Sequence, residues 1–173
     1  LTVNFRGETR CDSVEDGEVK ELYDAMRSGE VATTAAVNPD GWAGKIEEAL
    51  AAGQDALVMT FSGGLSTTYQ SAVIAANDLM ETYPQRKVMV VDTCAAALGQ
   101  GLFVWYAAKQ RDKGLSLEEL AAWCEENKDH VAHWFTVDDL VYLKRGGRVS
   151  AATALVGTML NIKPVLHVDN EGH

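Results

Sequence analysis

Along this chain the apolar positions shift from a period of two, to helical spacing, to unbroken runs, and each shift predicts a change of element. Leu1, Val3 and Phe5 alternate with Thr2, Asn4 and Arg6 before Gly7, the pattern of a half-buried strand entering a turn, read here as an edge element. From Ser13 the chain turns acidic, and Val19, Leu22, Tyr23 and Met26 recur at helical spacing up to Gly29, a residue suited to a left-handed cap. A polar stretch from Val31 to Thr34 leads to Asn38 and Pro39, a favoured N-cap followed by a favoured first helical residue, so a helix is predicted to about Ala52.

The run Ala56 to Phe61 is apolar without alternation, the signature of a strand buried on both faces, and it stops at Ser62-Gly63-Gly64. A helix from about Ser66 to Tyr83 follows. The same unit recurs with a strand Lys87 to Asp92, a small-residue turn Thr93 to Gly99, and a helix bearing Phe103, Val104, Tyr106 and Ala107. A further helix opens at Ser116 with Glu119 at capping-box spacing, and Val131 to Val137 is predicted as a third buried strand. Repeated strand-helix-strand units imply an α/β protein with a parallel, Rossmann-like sheet. After the Gly146-Gly147 break, an Ala-rich helix from about Ser150 to Leu160 and a strand Pro164 to Val168 complete the expectation.

Composition narrows the function classes. A chain of 173 residues with 47% hydrophobic content has material for one ordinary core. Its formal charge of -10 and pI near 4.8, with no cluster of Lys and Arg, argue against a nucleic-acid surface and against an anionic membrane. Charged residues interrupt every apolar stretch before bilayer length, and the start of the chain lacks the layout of a signal peptide. Cys11, Cys94 and Cys124 lack the paired spacing of a zinc or redox motif, and reduced thiols in a cytoplasm fit this usage.

Ligands of open parallel sheets collect at the carboxyl ends of the strands, which directs attention to the loops after Phe61 and Asp92. In the first, Gly63 and Gly64 are expected to let backbone amides face one point, and Ser66 and Thr67 add hydroxyl donors at a helix N-terminus, an arrangement suited to an anion. Ser66 also reads simply as a helix cap, and the two roles can coexist. The loop lacks the Lys of a P-loop and the second glycine of a nucleophile elbow. In the second loop Cys94 reads either as a structural thiol or as a nucleophile whose pKa is lowered at a helix start. His130 and His133 have helical metal-site spacing, but they open a predicted strand and lack a third ligand, so no metal is expected. The stretch Leu140 to Ser150 concentrates Lys144, Arg145 and Arg148 in an otherwise acidic chain. A helix end explains Lys144 and Arg145 by the dipole but leaves Arg148 without a role.

Five segments in order, VATTAAV, FSGGLSTTYQSA, VVDTCAAALGQG, LVYLKRGGRVS and NIKPVL, resemble the TSQP-like, SSGLSGTYxSA-like, VxDSxxxSxGxG-like, LxxLxKGGRIS-like and IKPI-like motifs of the DegV family. The resemblance spans nearly the whole chain. Thr34, Ala35 and Ala36 depart from the Ser, Gln and Pro of the first motif, and Thr67 replaces a Gly in the second.

The resemblance implies a bacterial, cytoplasmic, non-catalytic protein that holds a long-chain fatty acid in an apolar tunnel. It implies presentation of that acid to a fatty acid kinase for conversion to acyl phosphate, toward phospholipid synthesis, with membrane contact at most transient. By position, Thr33 and Ser66 would hold the carboxylate, with Gly64, Leu65 and Arg148 completing the head-group site. No cofactor is implied beyond the fatty acid. Residues 1–162 are expected to form the DegV-type α/β domain and 163–173 the start of a second domain, the chain resembling a family member shortened at both ends. The second reading is a hydrolase or acyltransferase with Ser66 or Cys94 as nucleophile, which requires a base within hydrogen-bond reach. Sixteen buried carbons at roughly 0.8 kcal/mol each would supply on the order of 10 kcal/mol before entropic costs.

Overall fold

Thr2–Phe5 forms β1, with Val3 and Phe5 buried and Thr2 and Asn4 turned outward, as a period of two requires. The computed structural model describes residues 2–11, 16–150 and 163–173, so the helix expected over 150–160 lies outside the described residues. The chain divides into two compact units, Leu1–Val37 and Asn38–His173.

In the first unit, β1 pairs antiparallel with β2 (Glu8–Cys11) through a two-residue turn in which Arg6 and Gly7 both have positive φ, at 52° and 80°. Those angles match the twist that a tight hairpin needs. The strained Arg6 is held by its guanidinium, which donates to Glu30 at 2.7 Å and to Glu21 at 2.9 Å. On the other side β1 pairs with β3 (Thr33–Ala35), so β1 is the centre of the sheet and the edge reading is corrected. Its flanking strands are short and polar, and their pairing leaves no hydrophobic pattern. Helix α1 (Asp16–Arg27) lays Ala25 and Leu22 on Val3 and Phe5, while Tyr23 stays exposed. It ends at Gly29, φ 102°, with the Glu30 amide returning to the Ala25 carbonyl at 3.0 Å.

The second unit opens with α2 (Pro39–Ala51), where Asn38 Oδ1 accepts the Gly41 amide at 2.9 Å. Next come β4 (Ala56–Thr60), α3 (Thr68–Thr82) and β5 (Val88–Asp92), and the two strands pair in parallel from Ala56 opposite Val88 to Thr60 opposite Asp92. Their side chains alternate between two cores. Val58 and Val88 join Ile46, Leu50, Ala72, Ala75, Ala76 and Leu79 from α2 and α3. Leu57, Met59, Met89 and Val91 meet the helices α4 (Ala97–Asp112) and α5 (Leu117–Asn127) through Phe103, Ala107, Leu120, Ala121 and Cys124. Burial on both faces is why these strands read as unbroken apolar runs. The capping box of α5 is formed: Ser116 Oγ accepts the Glu119 amide at 3.3 Å, and the Glu119 carboxylate accepts the Ser116 amide at 2.8 Å.

The third buried strand is not where it was expected. Only Trp134–Thr136 is extended (β6), all three of its residues are exposed, and it pairs antiparallel with β7 (Val165–His167) rather than joining β4 and β5. Between these strands lies α6 (Val141–Arg145), anchored by the buried Leu140.

Candidate functional site

The loops leaving β4 and β5 are braced against each other before any ligand is considered. Thr93, fully buried, donates its hydroxyl to the Thr60 carbonyl at 2.7 Å and accepts the Ala95 amide at 3.2 Å. The Ser62 amide donates to the Ala95 carbonyl at 2.9 Å. The Asp92 carboxylate accepts the Gly63 amide with both oxygens at 3.1 Å and the Cys94 amide at 3.1 Å.

Every amide from Gly63 to Ser66 is therefore engaged inside the protein. Gly64 donates to Ser62 Oγ at 3.2 Å, and Leu65 and Ser66 donate to the Ser62 carbonyl at 3.2 and 3.1 Å. This corrects the expectation that the glycines free these amides to converge on an anion. Gly64 instead serves close approach: a Cβ there would stand 2.8 Å from the Gly172 carbonyl oxygen and 3.0 Å from that of Glu171.

What the loop offers a ligand is hydroxyl chemistry. Ser66, half-buried, bonds Thr68 Oγ1 at 2.8 Å and accepts the Thr68 amide at 3.2 Å, so it does support the first turn of α3. When Thr68 donates in the hydroxyl pair, the Ser66 proton is left for an external acceptor. Thr67, at the N-cap position, makes no side-chain cap bond and is exposed.

Arg148 gains the role its position left open. Its Nε donates to the Leu65 carbonyl at 3.0 Å, and Nη1 bonds the Gly146 carbonyl. The fold thus gathers Gly64, Leu65, Ser66 and Arg148 around one loop. Thr33 lies in the first unit, exposed on β3 opposite Asn4.

The nucleophile reading needs a base within hydrogen-bond reach. Among the described residues, the partners of the Ser66 hydroxyl are both atoms of Thr68. Burial, reinforced by the neighbouring Asp92 charge, pushes the Cys94 thiol above its ordinary pKa, which favours the structural-thiol reading over the nucleophile. His133 shares a cavity of about 190 Å³ with Cys94, but both ring nitrogens are committed, Nδ1 to the Val131 carbonyl at 2.9 Å and Nε2 to the Ala96 amide at 3.4 Å. His130 bonds Asn127 at 3.3 Å. Among the described residues no group of three or more His, Cys, Asp or Glu could hold a metal ion, and no helix is long and apolar enough to cross a membrane.

Sequence reasoning missed Ser62, which is fully buried and makes more of the loop's bonds than any residue singled out in advance. A lone Ser at a strand end carries no local signal of this.

Comparison with known proteins agrees with the motif pattern. A family model described as an uncharacterised protein of the DegV family matches residues 1–173. A DegV domain-containing protein of Clostridium perfringens is 44% identical over 153 residues, covering 88% of this chain and 53% of that protein. The chain therefore spans about half the length of such relatives. Among solved structures, a DegV family protein from Thermus thermophilus, described by its fatty acid binding, is 38% identical with a TM-score of 0.83, over 99% of this chain and 59% of the other. The Streptococcus pneumoniae Fatty Acid Kinase (Fak) B3 protein, loaded with linoleic acid, is 25% identical with a TM-score of 0.85, over 99% of this chain and 59% of the other. A model match along the full chain, the shared α/β fold and the Clostridium identity agree: this chain belongs to the DegV family.

Proposed function

We propose that this chain binds a long-chain fatty acid without transforming it, and presents it to a fatty acid kinase that forms the acyl phosphate. The observation that carries the reading is the likeness, at 38% identity and a TM-score of 0.83, to the fatty-acid-binding protein of Thermus thermophilus. The kinase as partner rests on the likeness to the Fak B3 protein. In this reading Ser66 donates its hydroxyl to the carboxylate, Gly64 and Leu65 shape the loop beneath it, and Arg148 steadies that loop or meets the head group. The alkyl chain occupies an apolar tunnel. The cavity beside Cys94, about 190 Å³, falls below the roughly 300–1,000 Å³ typical of drug-sized ligands, so it is not assigned to the acyl chain.

Hydroxyl donors suffice for such a ligand. Burial of the methylenes supplies most of the affinity, and the carboxylate needs chiefly to be oriented. The test is mass spectrometry of the purified protein under native and denaturing conditions. A stoichiometric fatty acid released on unfolding, and lost in Ser66→Ala, supports the reading. Repeated preparations free of lipid, together with no binding on titration with palmitate or oleate, overturn it.

A further inference from the structure

Ser62 is the point at which the head-group loop is tied to a distant turn. Its hydroxyl donates to the Gly172 carbonyl at 2.6 Å, across 110 residues of sequence, while accepting the Gly64 amide at 3.2 Å. Its carbonyl receives the Leu65 and Ser66 amides, and its own amide reaches the Ala95 carbonyl. Every polar atom of this fully buried residue is engaged.

The turn on the other side is built to meet it. Asp169 Oδ1 accepts the amides of Glu171 and His173, each at 2.9 Å, and Gly172 sits at φ 83°, where only glycine is unstrained. A Cβ on Gly172 would collide with Ser62 Oγ, and one on Gly64 would press on the Gly172 carbonyl. Two glycines, in segments far apart in sequence, thus allow backbone to lie on backbone, with the Ser62 hydroxyl as the bond between them.

We infer that Ser62 is a positioning residue for the carboxylate site, holding Ser66 in place by joining the Gly63–Ser66 loop to the Asp169–His173 turn through Gly172. The inference rests on the fatty-acid reading for its functional consequence, but not for its structural content. Ser62 itself does not touch the ligand. It takes up the amides of Gly64, Leu65 and Ser66, as Asp92 takes up that of Gly63, and so leaves carboxylate recognition to side-chain hydroxyls.

The experiment has two arms, both on the intact protein. Hydrogen exchange without ligand is expected to show the amides of residues 63–66 protected in the wild type and faster to exchange in Ser62→Ala and Gly172→Ala. Wild-type exchange at the rate of an unstructured chain overturns the inference without needing either variant to fold. In the second arm, binding of palmitate and of hexadecanol is titrated. Loss of the loop's orientation weakens palmitate by about tenfold more than hexadecanol, the size expected for a hydrogen bond to a charged group. Equal losses for acid and alcohol mean a merely structural role and overturn it. If the wild type binds no palmitate, the fatty-acid reading fails, and the exchange arm still decides whether Ser62 positions the loop.

Discussion

Arg148 Nε donates to the carbonyl of Leu65 at 3.0 Å, joining residues 83 positions apart. A single guanidinium thereby fastens the segment after α6 to the loop that carries Ser66. Arg148→Ala is expected to speed amide exchange around Leu65 and Ser66 while lowering global stability by less than about 1.5 kcal/mol, because the side chain is exposed. Arg148→Lys is not expected to restore protection, since Lys lacks the planar fork that here reaches two carbonyls. Hydrogen exchange and denaturant unfolding on the same samples check both statements.

Helix α4 offers a sharper contrast between neighbours. Phe103 is 1% exposed and stacks on Trp123 with ring centroids 5.9 Å apart, whereas Val104 is 42% exposed. Phe103→Ala is expected to cost about 3–5 kcal/mol, and Val104→Ala to stay within about 0.5 kcal/mol. Equal losses in urea titrations would mean that the packing on this face of the sheet is misassigned.

Cys94 and Cys124 are expected to resist alkylation. Burial, aided by Asp92, raises the Cys94 thiol, and burial, aided by Glu125, pushes Cys124 up to about 11. A raised pKa leaves less thiolate at neutral pH, so modification by iodoacetamide, followed by mass spectrometry, should be slower than for a free cysteine and should speed up as pH rises. Cys94→Ser should leave fatty acid affinity within about twofold, since no step in the proposed function uses the thiol; a change of a kcal/mol or more, about fivefold, counts against that view.

The capping box of α5 makes a pH prediction of definite sign. The Ser116 amide, then its hydroxyl, hold the Glu119 carboxyl below its ordinary value of 4.5. A carboxyl lowered in the folded state contributes stability above its ordinary pKa and loses that contribution as pH falls through its folded value. Glu119→Gln keeps the hydrogen-bonding shape but cannot ionise. The wild type should therefore exceed Glu119→Gln in denaturation midpoint at pH 7, and the difference should vanish at strongly acidic pH.

Much of the second unit was legible before the fold was seen. Ala56 to Thr60 and Val88 to Asp92 announce themselves because both faces are buried, and Asn38 and Ser116 because a cap is a local contact. Partnership was not legible. Trp134 and Phe135 have the side chains of a strand whatever they pair with, and only the fold reveals that β7, not β5, lies beside them. Thr33–Ala35 escaped notice for a related reason: three small or polar residues become a strand only because β1 supplies their hydrogen bonds. At the candidate site, the loop pattern points to Ser66 and the unexplained charge to Arg148, and motif resemblance gives each an expected role. Ser62 and Gly172 stayed hidden, since each answers to a partner far along the chain.

The alternation of β4 and β5 between two cores divides the molecule's tolerance to change. Ile46 and Leu79 on one side and Phe103 and Leu120 on the other belong to separate packing clusters, joined through the strands between them. Substitutions made one on each side should add in their effect on stability, whereas pairs within one side should couple. One helical layer can then be repacked over generations without a compensating change in the other, while the loops at the strand ends keep their place.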